Sequence, residues 1–212
     1  MAAFRAIMIW TLVAMTASHD DSDMPPELNT LLGRINPWKV ANSSQTVYLT
    51  KASMQISALP SPYCVSSDYL RYEAENRTAY RTLYASFVNA SHTFHRSVNI
   101  SLQVRHEKWR LPTLLVGFLY NIYGILPSSD PNAFVQLDEY ELQVAYSDSK
   151  CLILRNPPTK GRQFGGCTMW TPEEYVKKRP LCCEFLFFVL CGVSTITYDR
   201  TSCATNESAS AA

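Results

Sequence analysis

Leu137-Asp-Glu-Tyr-Glu-Leu-Gln-Val-Ala-Tyr146 alternates polar and apolar residues through its middle. Glu139, Glu141 and Gln143 fall on one face and Tyr140, Leu142, Val144 and Tyr146 on the other, the period-two pattern of a β-strand with one apolar side. Runs at 46–54, 63–72, 79–88, 93–104 and 114–123 share its wealth of Val, Ile, Thr, Tyr and Phe, and each is bounded by Pro, Asn, Asp, Ser or Gly. No helical pattern intervenes between them. That argues against alternating β and α units and for an antiparallel sandwich or barrel, so the class expected is all-β.

Two shorter pieces flank the strands. Residues 25–33 start with Pro25-Pro26, place Leu28, Leu31 and Leu32 at helical spacing and end on Gly33, the start and stop signals of a short helix. Residues 182–192 are intensely apolar but too short to span a bilayer, which suggests a buried element packed on the sheet. Its periodicity leaves helix and strand both open.

The N-terminus sets the compartment. Residues 1–18 hold one basic residue, Arg5, then the apolar run from Ile7 to Met15 and the small residues Thr16, Ala17 and Ser18. This is the layout of a secretory signal peptide, with cleavage expected near Ala17 or Ser18. The run is about half of the roughly 20 apolar residues that a membrane span requires. Export also suits the Asn-x-Ser/Thr sequons at Asn42, Asn76, Asn89, Asn99 and Asn206. The expected organisation is a signal peptide at 1–18 and one domain at 19–212, with 206–212 a flexible tail. Loss of Arg5 takes the formal net charge from +1 to zero, with no basic block to capture nucleic acid or an anionic membrane. A partner would then be recognised by shape and apolar contact.

An exported chain is expected to oxidise its cysteines. Six of the seven lie between 151 and 203, and Cys64 stands alone in the front half. Their surroundings are distinctive. In order they read Pro62-Tyr-Cys64, Tyr146-Ser-Asp148 leading to Cys151-Leu-Ile-Leu154, Gly166-Cys167-Thr-Met-Trp170, Pro180-Leu-Cys182-Cys183, Cys191-Gly192, and Tyr198-Asp199 shortly before Cys203. This series resembles the salivary lipocalins of ticks, the histamine-binding protein family, strongly over 140–203 and loosely before that.

The resemblance implies an eight-stranded antiparallel up-and-down lipocalin barrel, with a short N-terminal helix closing one end and a C-terminal helix packed on the wall. Such a barrel has room inside for one small ligand. It also implies disulfides Cys64–Cys203, Cys167–Cys191, and Cys151 with one of the adjacent pair, Cys183 preferred over Cys182. The seventh cysteine would then be a buried or capped thiol in a monomer, or a bridge between two chains.

Amine-binding members of that family look like Cys-Asp followed later by Glu-Leu-Trp. Here Leu152 follows Cys151, and Thr168-Met169 precede Trp170. A buried ammonium without a carboxylate is costly, so amine binding of the signature type is not expected. Of the two faces at 137–146, the apolar one is favoured to look inward, which suits a lipid or aromatic ligand; Glu139 and Glu141 would serve an amine if the other face did. Trp170 matches the family's pocket tryptophan or is an ordinary core aromatic. Tyr140, Leu142, Tyr146, Tyr120 and Tyr123 complete the pocket candidates, while Trp38 suits a plug at the closed end and Trp109 a strand or loop aromatic. The loops 124–133 and 155–165 are expected at barrel ends.

No Gly-x-Ser-x-Gly, His-Glu-x-x-His or phosphate-cradling loop occurs. His92 and His95 fall in a strand pattern, where their spacing puts them on opposite faces. Neither an enzyme nor a metal or cofactor is expected. Two classes of function remain: a secreted salivary scavenger of a small host inflammatory mediator, with an eicosanoid, fatty acid or sterol favoured over histamine or serotonin, and a lipocalin whose exterior blocks a host immune protein.

Overall fold

The computed structural model describes residues 35–53, 63–89, 92–107, 110–121, 134–157, 165–196, 198 and 203. The expected helix at 25–33 and the signal segment lie outside them. Within them a one-turn helix α1 (Trp38–Ala41) leads into β1 (Val47–Ser53). Then come β2 (Tyr63–Glu73), β3 (Thr78–Asn89), β4 (His92–Arg105), β5 (Thr113–Asn121) and β6 (Phe134–Ser147). After β7 (Leu152–Arg155) and β8 (Cys167–Pro172) follow the helices α2 (Glu173–Val176) and α3 (Leu181–Cys191), and last β9 (Ser194–Ile196).

Each strand from β2 to β8 pairs antiparallel with the next, and β1 pairs with both β8 and β2. The sheet is thereby closed into an eight-stranded barrel. Its seam is unequal: β1 meets β8 from Val47 to Ala52 but β2 only at Val47 and Tyr48. β9 takes up the edge that β2 leaves, pairing with Lys51, Ala52 and Ser53. Register shifts interrupt β1, β2, β5 and β6, the irregularities that let a sheet bend enough to close.

Alternation sorts the wall into two apolar faces. Inside, Val47, Ala79, Ile100, Leu102, Leu114, Val116, Val144, Leu152 and Leu154 pack together with Val40 and Ala41 of α1. Outside, Ala145, Cys151, Ile153, Cys167 and Met169 pack beneath Cys183 and Phe187 of α3. The apolar stretch at 182–192 is therefore a helix against the wall. Pro180 sits at its N-cap, and Gly192, at φ 78°, takes a backbone conformation beyond its end that side-chain-bearing residues rarely adopt.

Three disulfides are present: Cys64–Cys203, Cys151–Cys183 and Cys167–Cys191. Two of them pin α3 to the barrel, one in its first turn and one at its last residue. Lys51 of β1 pairs with Glu184 at 3.8 Å, and Arg155 of β7 donates to the Leu190 carbonyl at 3.1 Å. Cys182 is a free, exposed thiol. Asp148 lies close to Cys151 and Cys183, but their sulfurs are bonded to each other and offer no metal ligand.

α1 marks one end of the barrel. Ser147, at the end of β6, donates its hydroxyl to the Asn36 carbonyl at 3.2 Å, and Arg81 near the start of β3 reaches the carbonyls of Ala41, Ser43 and Gln45. Strand directions then carry the β5–β6 and β7–β8 connections to the other end. Residues 124–133, and all but the ends of 155–165, lie outside the described residues.

Candidate functional site

The barrel interior holds a cavity of about 280 Å³, near the lower bound of the ~300–1,000 Å³ common for ligand pockets. Val40, Ala41, Val47, Ser67 and Arg81 line it at the α1 end; Ile100, Leu102, Leu114, Val116, Leu152 and Leu154 form the walls; Phe118, Tyr140, Asn156 and Thr168 lie toward the opposite end. Leu83, Leu142 and Trp170 complete the lining. Among the described lining residues there is no carboxylate.

The inward phase of each strand follows from its alternation. On β6, Tyr140 and Leu142 face the cavity, while Glu139 and Glu141 are exposed outside, Glu141 bonded to Arg105 at 2.9 Å. Tyr140 is 55% exposed, so it belongs to the mouth, where its ring meets Phe118 edge-on at 5.4 Å. Tyr146 departs from the expected face. The register shift between Val144 and Tyr146 inserts one residue, so Tyr146 packs with the outer cluster near α3 instead of following Val144 inward. There its hydroxyl donates to Asp148 at 3.2 Å, and burial first, then that carboxylate, pushes its pKa up to about 12. Tyr120 is exposed and does not line the cavity. Tyr123 and Trp109 lie outside the described residues.

Trp170 lines the cavity on β8, and its indole N–H donates to the Thr168 hydroxyl at 3.1 Å two residues back on the same face. The ring thus presents an apolar surface with its one polar group already used. Trp38 is packed against the inner cluster and meets Tyr72 edge-on at 5.9 Å, at the α1 end. Leu152 and Thr168, which stand where the resemblance would place the acids of the amine signature, both line the cavity. They lie on paired strands, where Leu152 opposes Trp170 and Leu154 opposes Thr168.

Of the residues expected in the pocket, Tyr140, Leu142 and Trp170 line the cavity; the other lining residues were not singled out by the sequence as pocket candidates, and the charged one among them is Arg81. Arg81 is 1% exposed and holds α1 and the following turn onto β2 and β3. Its Nε donates to Ser67 Oγ at 3.0 Å, Nη2 to the carbonyls of Gln45 and Ser67 at 2.8 and 2.7 Å, and Nη1 to those of Ser43 and, at 3.4 Å, Ala41. Burial lowers its pKa to about 10, against the opposing influence of Asp68 and Tyr69. The signal was present: Arg81 shares the strand phase of Ala79 and Leu83, the inward face of β3.

The sequons occupy different surroundings. Asn76 is exposed in the β2–β3 turn, Asn99 is half-buried on β4 and accepts from Thr82 at 3.0 Å, and Asn42 has its Oδ1 buried with no hydrogen-bond partner. The side chain of Asn89, and Asn206, lie outside the described residues. His95 is exposed on β4.

A closed eight-stranded antiparallel barrel with an apolar interior is a barrel of the lipocalin type. A family model described as tick histamine binding protein matches residues 34–205, and the chain belongs to that family. Among solved structures it is similar to "Japanin from Rhipicephalus appendiculatus bound to cholesterol", with 20% identity over 76% of this chain and 97% of that one and a TM-score of 0.52. Comparison with curated protein sequences gives no match.

Proposed function

We propose that the barrel takes up a small apolar ligand, an eicosanoid, fatty acid or sterol, in preference to histamine or serotonin, and acts as a secreted salivary scavenger of a host inflammatory mediator. The observation that carries this reading is that Leu152 and Thr168, which stand where the family resemblance would place the two signature acids, both line the cavity, with no carboxylate among the described lining residues. An ammonium there would lose its hydration without gaining a counter-charge, at a cost of several kcal/mol. An apolar ligand meets Ile100, Leu102, Leu114, Val116, Leu142 and Trp170, and gains about 25 cal/mol for each Å² removed from water. The cholesterol in the similar structure is consistent with such cargo in this architecture. Sequestration of this kind requires no catalytic group. Export through the segment at 1–18, and glycans on exposed sequons such as Asn76, belong to the same proposal.

The test is native mass spectrometry of the secreted protein, followed by titration with cholesterol, arachidonate, a leukotriene, histamine and serotonin under Trp-fluorescence and calorimetric readout. Lipid binding with no amine response is expected. Binding of histamine or serotonin more tightly than every lipid would overturn the proposal.

A second reading rests on α3. Its outer side exposes Leu181, Phe185, Phe188 and Val189, an apolar surface suited to a protein partner. A secreted chain with an empty cavity that captures a host immune protein would favour it.

A further inference from the structure

Among the described residues no carboxylate is bonded to the buried cation Arg81, although Asp68 acts on it through space. Arg81 lines the cavity at the α1 end, and its five N–H groups are directed to a hydroxyl and four backbone carbonyls. Those acceptors meet its hydrogen-bonding demand but are neutral, so the full positive charge remains. Among the described residues the ion pairs leave it out. Asp68, the next acid along β2, follows Ser67 and therefore faces the other side of the wall, where it accepts from the Thr46 hydroxyl at 2.6 Å. The Tyr69 ring lies 6.0 Å from the guanidinium carbon. The charge thus acts inside a low-dielectric, apolar barrel, where field lines are weakly screened.

We infer that the ligand supplies the missing anion: an amphiphile with one carboxylate, bound with that carboxylate toward Arg81 and its hydrocarbon chain running toward Phe118 and Tyr140 at the mouth. This rests on the cavity being a lipid site, as proposed above. It also separates acids from neutral lipids. A sterol or alcohol hydroxyl can gain only from a free donor, and all five are engaged. A carboxylate gains from the charge itself, and the 3.4 Å bond to Ala41, the longest of the five, is the one it would most readily replace. An ammonium in the same place is repelled.

The experiment compares laurate with 1-dodecanol, which share a chain and differ in head group, by calorimetry on the full secreted protein at neutral pH. Laurate is expected to bind at least ten-fold more tightly. If both bind and the alcohol is equal or tighter, the inference fails while the lipid-site reading stands; if neither binds and native mass spectrometry finds no lipid, both fall. Arg81→Gln, with its fold checked by circular dichroism, is expected to remove the preference for laurate. A folded variant that keeps the preference overturns the inference, and the wild-type comparison decides the question should the variant not fold.

Discussion

In the proposed function Leu152 and Thr168 select the cargo, because each lines the cavity at a position where an acid would create a cation site. Replacing both, as Leu152→Asp with Thr168→Glu, should raise histamine affinity at least ten-fold by calorimetry; an unchanged amine response would show that these positions do not select the ligand. The same pair should lower stability by several kcal/mol without ligand, since two buried carboxylates lose hydration. Tyr146 carries a pH signature instead. Its phenol keeps its proton to about pH 12 when folded, but to about pH 10 when unfolded. Its stabilisation is therefore complete below pH 10 and is lost as pH rises from 10 to 12. Tyr146→Phe should lose less stability than the parent across that window in denaturant titrations, and equal slopes would refute the assignment. Arg81, lowered to about 10, acts in the opposite sense over the same range, but it does so in both proteins and drops out of the difference.

At the scale of elements, α3 is held by two disulfides and by one large, fully buried apolar side chain. Phe187 is 1% exposed between the helix and the outer faces of β7 and β8, so Phe187→Ala should cost about 3 to 5 kcal/mol in urea denaturation. A loss below about 1 kcal/mol would mean that the disulfides alone hold the helix. This double-sided burial also explains what the sequence disclosed and what it hid. β1 to β6 were legible because long runs of β-forming residues ended at turn residues, although β6 begins at Phe134, ahead of the alternating stretch. β7 and β8 were not read as strands: Leu152 and Leu154 face the cavity while Ile153 lies under α3, and such a segment loses its alternation. α3 was ambiguous because Phe185, Phe188 and Val189 stay exposed and blur its apolar stripe. The inward face of β6 followed from alternation up to Val144, but nothing in its composition announced the inserted residue that turns Tyr146 outward. Arg81 was legible only through the phase of its neighbours, since a lone arginine in a strand more often faces water.

For the whole molecule, the order of the cysteines carried more than any strand, because six local motifs in series specify a family where one specifies nothing. The longest staple spans a sequence separation of 139. Removing it in a Cys64→Ala, Cys203→Ala variant should reduce unfolding free energy by roughly 4 to 5 kcal/mol in guanidinium titrations if chain entropy dominates. A change under about 1 kcal/mol would mean that the unfolded chain is already compact without it. The staple's position has a further effect. β2 grips β1 through two residue pairs only, β9 straps that edge at Lys51, Ala52 and Ser53, and Cys203 further along the chain is bonded to Cys64 of β2. Reduction would slacken the strap and leave the β1 edge at Lys51, Ala52 and Ser53 with unsatisfied amides and carbonyls, the kind of template on which another chain can add. In a reducing setting this barrel would thus be exposed to self-association through its own seam, and the bond that closes it also guards it against becoming a fibre.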